Sequence, residues 1–313
     1  MTNGVLVVGG FGTIGGRLSE RLEHATDIPI RLSSRTSRQV PTWASRASTC
    51  IADVTVKSGW HDALNGMDTV VHLVSLPDFA AKENPELART VGVDGTRNVL
   101  EASIAAGTKR FIFLSTGHVY GTPYVGHITE NTPTNPQQPY ASTHLEAERL
   151  VADAHERGDI EGVRVRLSNG FGFPKRADNE IWRIIINDLC RQAVTTGRLE
   201  LRTPGVQRRN FIPFADVCAA LVHLITIPRV GDGLFNLGST VTMTIADAAR
   251  RVQERAGHVL GKEPSLTIPT GPSEDTPELD YDSTKIRSTG LALTDDLDTE
   301  IDALLRYCAE TFA

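Results

Sequence analysis

Val5-Leu6-Val7-Val8-Gly9-Gly10-Phe11-Gly12-Thr13-Ile14-Gly15 is the stretch on which the fold turns. Four aliphatic residues form a short buried strand, and Gly9, Gly12 and Gly15 recur every third residue before the helical run Arg17 to Leu22. In such a strand-turn-helix the first glycine permits the tight turn and the second lets backbone approach a pyrophosphate. The third allows close helix-strand packing, while the helix N-terminus offers N–H donors and a partial positive charge. A glycine-rich turn that binds nothing is the alternative, and the flanking strand and helix speak against it. Gly9, Phe11, Gly12, Thr13, Ile14 and Gly15 are therefore expected to hold a dinucleotide.

Outward from this stretch, β-branched runs alternate with longer amphipathic segments: Ile28 to Leu32, Thr49 to Ala52, Thr69 to Leu73, Arg110 to Leu114 and Val163 to Leu167. The rhythm predicts an α/β fold, a doubly wound parallel sheet of Rossmann type with crossover helices. One such helix is expected from Pro85 to Ala106, carrying Leu87, Val91, Val99, Leu100 and Ile104 at helical spacing. From about Phe173 the loops lengthen, and Pro264 to Asp282 reads as an irregular lid. The expected organisation is an NAD(P)-binding domain over residues 1–172. Residues 173–313 then form mainly a smaller C-terminal substrate-binding region, of which about 205–240 returns to the Rossmann core.

The chain has 313 residues, 40% of them apolar, and a net charge of -6. That balance lacks the basic footprint of a nucleic-acid binder. Cys50, Cys190, Cys218 and Cys308 are scattered with no CxxC pair, so neither a metal site nor a disulfide framework is expected. No secretory leader is recognised before Val5, and the aliphatic cluster Ile184 to Ile186 is interrupted by Arg183 and Asn187. A cytoplasmic protein with a small-molecule partner, away from membranes, is the expectation.

About twenty residues past the glycine turn, where a carboxylate usually meets an NAD ribose, this chain offers Leu32-Ser33-Ser34-Arg35. Ser34 and Arg35, with Arg38 as a second cation, suit a 2′-phosphate, because guanidinium matches phosphate oxygens in a two-pronged way. NADP(H) is thus preferred and NAD(H) is possible; a solvated Arg35 is the alternative. Asp53 is placed either to accept from an adenine amino group or to cap a turn. Farther on, the fifth strand runs out at Ser115-Thr116, and Pro139-Tyr140-Ala141-Ser142-Thr143-His144 puts Tyr140 and His144 on one helical face. A strand-end hydroxyl and a helix phenol can converge on one substrate oxygen, although a tyrosine at a helix start is by itself weak evidence of catalysis.

Taken together these pieces resemble the extended short-chain dehydrogenase/reductase family, which includes nucleotide-sugar epimerases and ketoreductases. Gly9 to Gly15 is similar to its GxxGxxG, His72-Leu73-Val74-Ser75 to its HLAA strand, and Val93-Asp94-Gly95-Thr96-Arg97-Asn98-Val99-Leu100-Glu101-Ala102 to its VxGTxNVLEA helix. Ser115-Thr116-Gly117-His118-Val119-Tyr120-Gly121 resembles SSxxVYG, and Arg166 to Gly172 resembles RxxNxxG. Arg209 to Val217 is similar to RDFIHVxDV, and Phe235-Asn236-Leu237-Gly238 to the later YNxG strand. The resemblance implies Thr116, Tyr140 and His144 as catalytic residues. It implies Val54, Leu73, Tyr140, His144, Leu167 and Ser168 as further cofactor neighbours, and Ser75, His118, Asn169 and Arg209 as substrate contacts. It also implies a homodimer paired through the helices around Val93 to Ile104 and Tyr140 to Asp153.

Three departures shape the expected chemistry. His144 stands where the family has the lysine of YxxxK, Gly92 where it has asparagine, and Gly117-His118 where its dehydratases carry an acidic pair, which disfavours 4,6-dehydration. An imidazole titrates near 6.5 when unperturbed, so its influence on the Tyr140 phenol is expected to vary across the working pH range. The expected activity is NAD(P)(H)-dependent ketoreduction or dehydrogenation of a sugar or cyclitol. The alternatives are a nucleotide-sugar epimerase with retained cofactor and a non-catalytic dinucleotide sensor. Because Thr270-Gly271-Pro272-Ser273-Glu274-Asp275 lacks the second phosphate-binding arginine of relatives that bind nucleotide diphosphates, a cationic, amino-substituted substrate, or at least one not carried on a nucleotide diphosphate, is expected, with Arg209 as one possible anion contact and a solvated loop as the alternative.

Arg35→Asp should shift the preference from NADP(H) toward NAD(H), removing a phosphate partner and adding a carboxylate suited to a ribose diol. Titration of both cofactors checks it; a wild type that already binds NAD(H) more tightly overturns the assignment of Ser34 and Arg35.

Overall fold

The computed structural model describes residues 3–271 and 277–312. Seven parallel strands form the central sheet, in the spatial order Ser48–Ile51, Ile30–Ser34, Val5–Val8, Thr69–His72, Arg110–Thr116, Glu161–Leu167 and Leu234–Leu237. The expected doubly wound α/β fold is thus the observed one, and the last strand adds a C-terminal segment to the sheet. The second strand begins at Ile30, two residues later than the aliphatic run, because Pro29 has no N–H to give the ladder. The fifth extends to Thr116, carrying that hydroxyl to the very end of the sheet.

Val5 to Val8 and Thr69 to His72 are wholly buried, as strands covered on both faces require. On one face the helices Thr13–Ala25 and Phe214–Thr226 pack together, burying Leu18, Leu22, Val217 and Leu221. On the other, Gly95–Ala105 and Pro139–Glu156 cover Phe111, Val99, Ala147 and Val151. The helix anticipated over Pro85 to Ala106 is present in three pieces, with a π turn at Thr90–Asp94 between α-helical Pro85–Arg89 and Gly95–Ala105. The wider turn is braced by Thr96, whose hydroxyl donates to the Gly92 carbonyl at 2.6 Å.

Strand order reverses beside Val5–Val8, so the chain leaves that strand and Thr69–His72 in opposite directions and opens a crevice at their C-terminal ends. The sixth strand, with only Ser168 intervening, continues into Asn169–Phe171, which joins a second sheet with Arg208–Pro213 and Thr242–Thr244. A separate apolar core forms where Ile185–Thr196, Ile245–Leu260 and Leu297–Phe312 pack on one another around Leu189, Val252 and Leu304. Among the described residues no helix is long and apolar enough to cross a membrane.

One buried ion pair ties this second core to the glycine turn. Arg17, one turn into the first helix, meets Glu300 through two hydrogen bonds of 2.7 and 3.1 Å, and also donates to the Phe173 carbonyl while lying 4.0 Å over the Phe173 ring. Glu300 accepts in addition from the Ala215 backbone at 3.2 Å. Glu300→Ala strands a buried guanidinium and should cost about 3–5 kcal/mol of unfolding free energy. Urea denaturation reads this directly; a loss below about 1 kcal/mol would mean that Arg17 finds equivalent partners.

Candidate functional site

The glycine turn has the geometry a pyrophosphate needs. Gly9 sits at φ 85°, a left-handed conformation, and its carbonyl accepts from Gly12 N at 2.9 Å. A Cβ on Gly15 would lie 2.2 Å from that same carbonyl, so the helix can approach only as glycine. Gly12 caps the helix without a side chain, and no acidic residue occupies the first turn, which leaves the N–H groups of Thr13, Ile14 and Gly15 to an incoming anion. These residues fit a dinucleotide. Leu73 follows alongside, its N–H bonded to the Val8 carbonyl at 3.0 Å, and the Phe11 carbonyl accepts from Asn179 at 3.4 Å.

At the far end of this groove, Ser34 is half-buried and Arg35 exposed. Asp53 accepts from Thr55 N and Thr55 Oγ1 at 2.9 and 2.8 Å, so it caps its own turn. Those bonds, with Arg35 nearby, hold its carboxyl below the usual range. Val54 is buried, and its carbonyl accepts from Asn98 at 2.9 Å.

Thr116 and Tyr140 meet as the sequence implied. Thr116 Oγ1 accepts from His118 N at 3.2 Å, and the Thr116 side chain acts on the Tyr140 phenol, lowering its pKa. Pro139 starts the Tyr140 helix, its missing N–H falling where helices leave one unpaired. Burial raises the phenol above its ordinary value; the Thr116 bond opposes this and the Asp78 carboxylate adds to it.

His144 is held inside the helix packing. Its Nδ1 donates to the Tyr140 carbonyl at 2.7 Å, the two rings are 4.3 Å apart, and the side chain is only 4% exposed. Burial depresses its pKa, against weaker support from the Tyr140 carbonyl and Glu148. Burial thus disfavours the charged form of both groups, and in the neutral imidazole, with Nδ1 donating, Nε2 is left as an acceptor.

One further turn along, Glu148 accepts from Ser115 Oγ at 2.5 Å and from Arg166 Nη2 at 2.7 Å, all three residues being buried. Arg166 also donates to the Tyr120 hydroxyl at 2.9 Å, and that hydroxyl donates to Asn236 Oδ1 at 2.6 Å. Sequence reasoning passed over Glu148, although its spacing from His144 signalled the same helical face.

On the substrate side, Asn169 Nδ2 donates to the Tyr124 hydroxyl and to the Asn210 carbonyl, each at 3.1 Å. The His118 ring lies 5.9 Å from Tyr124 and 6.3 Å from Tyr140. Arg209 is half-buried with its pKa lowered by burial, and among the described residues it has no carboxylate partner, only Gln207 Oε1 at 3.2 Å. Leu167 ends the sixth strand, and the buried Ser168 Oγ beyond it has no protein partner. Ser75 is exposed on the loop beyond Leu73. Tyr124 and Asp78 are neighbours that the sequence did not single out. Glu274 and Asp275, with the rest of 272–276, lie outside the described residues.

The model of the NAD dependent epimerase/dehydratase family matches residues 5–238. A low-salt glycan biosynthesis protein, Agl12, of Haloferax volcanii is 27% identical over 232 residues, which cover 71% of each chain. A UDP-glucose 4-epimerase of Streptomyces lividans is 24% identical over 291 residues, 86% of this chain and 88% of the relative. In fold the chain is similar to MoeE5, solved with UDP-glucose and NAD, at a TM-score of 0.81, 24% identity, and coverage of 99% of this chain and 100% of the other.

Burial sets the acid sensitivity of this region. His72 is depressed to about 3 and His118 to about 4, burial being the largest cause in each, and His144 is lowered as well. His72 and His118 are neutral when folded and take up a proton on unfolding below about pH 6.5. Stability is full above that pH and should fall toward pH 4 by about 1.4 kcal/mol per pH unit for each of these two histidines, with His144 adding in the same direction. Urea midpoints at pH 7, 6 and 5 test this, and His72→Phe should flatten the slope. Equal stability at pH 7 and 5 would contradict it.

Proposed function

Because the chain belongs to the NAD dependent epimerase/dehydratase family, we propose that it is an NAD(P)(H)-dependent ketoreductase acting on a ring carbonyl of a phosphate- or diphosphate-linked sugar. The observation that carries this reading is the buried Tyr140 phenol packed 4.3 Å from the buried His144 ring, where burial opposes ionisation of the phenol and protonation of the imidazole. Such a pair is arranged to give a proton rather than to take one.

When bound, the reduced nicotinamide supplies a hydride to the carbonyl carbon. Thr116 and Tyr140 donate hydrogen bonds to the carbonyl oxygen, and the phenol proton passes to it as the alcohol forms. His144 holds the Tyr140 turn of the helix through its carbonyl and offers Nε2 to a ribose hydroxyl. The first-turn N–H groups of Thr13, Ile14 and Gly15 take the pyrophosphate, and Ser34 and Arg35 take a 2′-phosphate, which favours NADP(H). Arg209, lacking an acidic partner among the described residues, meets the substrate phosphate.

A second reading, an epimerase that keeps its cofactor through both half-reactions, draws support from the chain after Phe173. Lys175 pairs with Glu20 at 2.5 Å and Asn179 reaches Phe11 at 3.4 Å, so this segment crosses the glycine turn and would slow cofactor exchange. Cofactor that survives gel filtration of the purified protein favours the epimerase.

The ketoreductase reading predicts sustained consumption of NADPH with phosphate-linked keto-sugars. Tyr140→Phe should lower kcat by roughly 10²–10⁴ while cofactor affinity stays within about twofold. Absence of turnover with every keto-sugar, or a Tyr140→Phe enzyme as active as wild type, overturns it.

A further inference from the structure

The fifth strand ends at Thr116, and the chain turns at once through Gly117–Tyr120. His118 N donates to Thr116 Oγ1 at 3.2 Å, which ties residue 118 to the hydroxyl at the end of the sheet. Position 117 has no room for a side chain, since a Cβ there would come within 3.1 Å of the Tyr281 hydroxyl and 3.3 Å of the Leu167 carbonyl. Val119 and Tyr120 are buried in an apolar cluster. The turn therefore presents one functional side chain beside Thr116, the His118 imidazole.

That imidazole lies within contact range of two phenol rings, 6.3 Å from Tyr140 and 5.9 Å from Tyr124, and is steeply inclined to both. A carbonyl held by the Tyr140 phenol thus presents its neighbouring carbon to this ring. Edge-on packing accounts for the ring but not for its nitrogens. Nδ1 reaches only Thr122 Oγ1, at 3.5 Å, and Nε2 has no hydrogen-bond partner among the described residues. A half-buried nitrogen left in this way is costly unless a ligand meets it. Burial, then Arg209 and His144, lower the imidazole pKa to about 4 against the opposing Asp78 carboxylate. At neutral pH the ring is unprotonated, and its base strength is about that of a carboxylate.

We propose that His118 is a further catalytic residue, a base whose Nε2 removes the proton from the ring carbon next to the substrate carbonyl, so that the site enolises a keto-sugar as well as reducing it. In this step the C–H bond breaks and its proton passes to Nε2. The freed electron pair forms a carbon–carbon double bond, while the carbonyl π pair moves onto oxygen, which takes the Tyr140 proton as the enol forms. Reversal returns the phenol proton to Tyr140 and a proton to carbon. The enol has lost the configuration of that carbon, and the face that receives the returning proton, from His118 on one side or from water on the other, sets it again. No electrons leave or enter the sugar, so enolisation needs no hydride. The substrate class is a keto-sugar with a hydrogen on a carbon flanking its carbonyl. The inference rests on the keto-sugar reading of this cleft.

The test follows deuterium uptake from deuterium oxide, by NMR and mass spectrometry, with NADP⁺ as the only cofactor so that reduction is blocked. The probes are UDP-4-keto-6-deoxyglucose, which carries a hydrogen on each flanking carbon, and any keto-sugar that wild type reduces. Wild type should label a flanking carbon well above the rate in buffer. His118→Asn, checked for unchanged NADPH affinity, should slow labelling by about 10²–10⁴-fold and slow it further than it slows NADPH oxidation. His118→Glu, which restores a base of similar strength, should recover most of the labelling, an outcome that a merely structural role for the imidazole does not give. Labelling without reduction supports the inference and sinks only the ketoreductase reading. Reduction without labelling, or labelling equal in wild type and His118→Asn, overturns the role of His118 and leaves the ketoreductase reading standing. Neither labelling nor reduction of any probe overturns both.

Discussion

The buried ion pair between Glu148 and Arg166 is the constraint on which the rest of the site depends. It joins the helix Pro139–Glu156 to the strand Glu161–Leu167, and through Ser115 it reaches the end of Arg110–Thr116 as well. Two charges removed from water repay their desolvation only when their remaining hydrogen-bonding capacity is satisfied. Here Ser115, Tyr120, Asn236 and Tyr281 complete the network, Tyr281 by donating to the Arg166 carbonyl at 2.8 Å. Thr116 follows Ser115 directly, Ser168 lies two residues beyond Arg166, and His144 sits one turn before Glu148. Thr116, Ser168 and His144 are thus each held within two residues or one helical turn of a network that cannot shift without stranding a charge.

Within that frame the site works with neutral groups. A lysine at 144 would bring a fixed charge beside Tyr140, but the buried imidazole brings a hydrogen bond to the backbone instead. The surroundings are consistent with this exchange: His72 and His144 lie on either side of Phe113, each ring centroid 5.9 Å from it, and His72 is bonded at 3.1 Å to the Thr96 hydroxyl that braces the π turn at Gly92. Beyond burial, His144 further disfavours protonation of His72.

The second helical core bears on this site through a few polar ties. Glu300 fixes Arg17 and the Ala215 backbone, while Lys175 and Asn179 bind the first helix and its turn. The alkyl stem of Lys175 packs against Gly16, where even a Cβ would come within 3.1 Å. These contacts set how the chain after Phe173 lies across the dinucleotide groove, and they join mechanical stability to cofactor handling.

The central sheet was legible along the chain because strand burial and helix periodicity are local patterns: Val5–Val8, the glycine turn and the run of crossover segments each announce themselves within a dozen residues. The i, i+4 spacing likewise placed His144 against Tyr140, and spacing alone could have placed Glu148. What spacing could not give was charge state. His144 reads as a titrating cation in sequence, and only the packed helices, by excluding water, push its pKa down and set its Nδ1 on a backbone carbonyl. Arg17 and Glu300 meet across 283 positions, Glu148 and Arg166 across 18, and Arg209 is conspicuous only once its whole surroundings show no acid. The sequence by itself determined the fold and the cofactor turn, since both follow from backbone geometry and apolar periodicity. Tertiary structure alone decided which ionisable groups are paired, which are neutral and which still face a ligand, because desolvation and Coulomb interaction depend on distance in space and not along the chain.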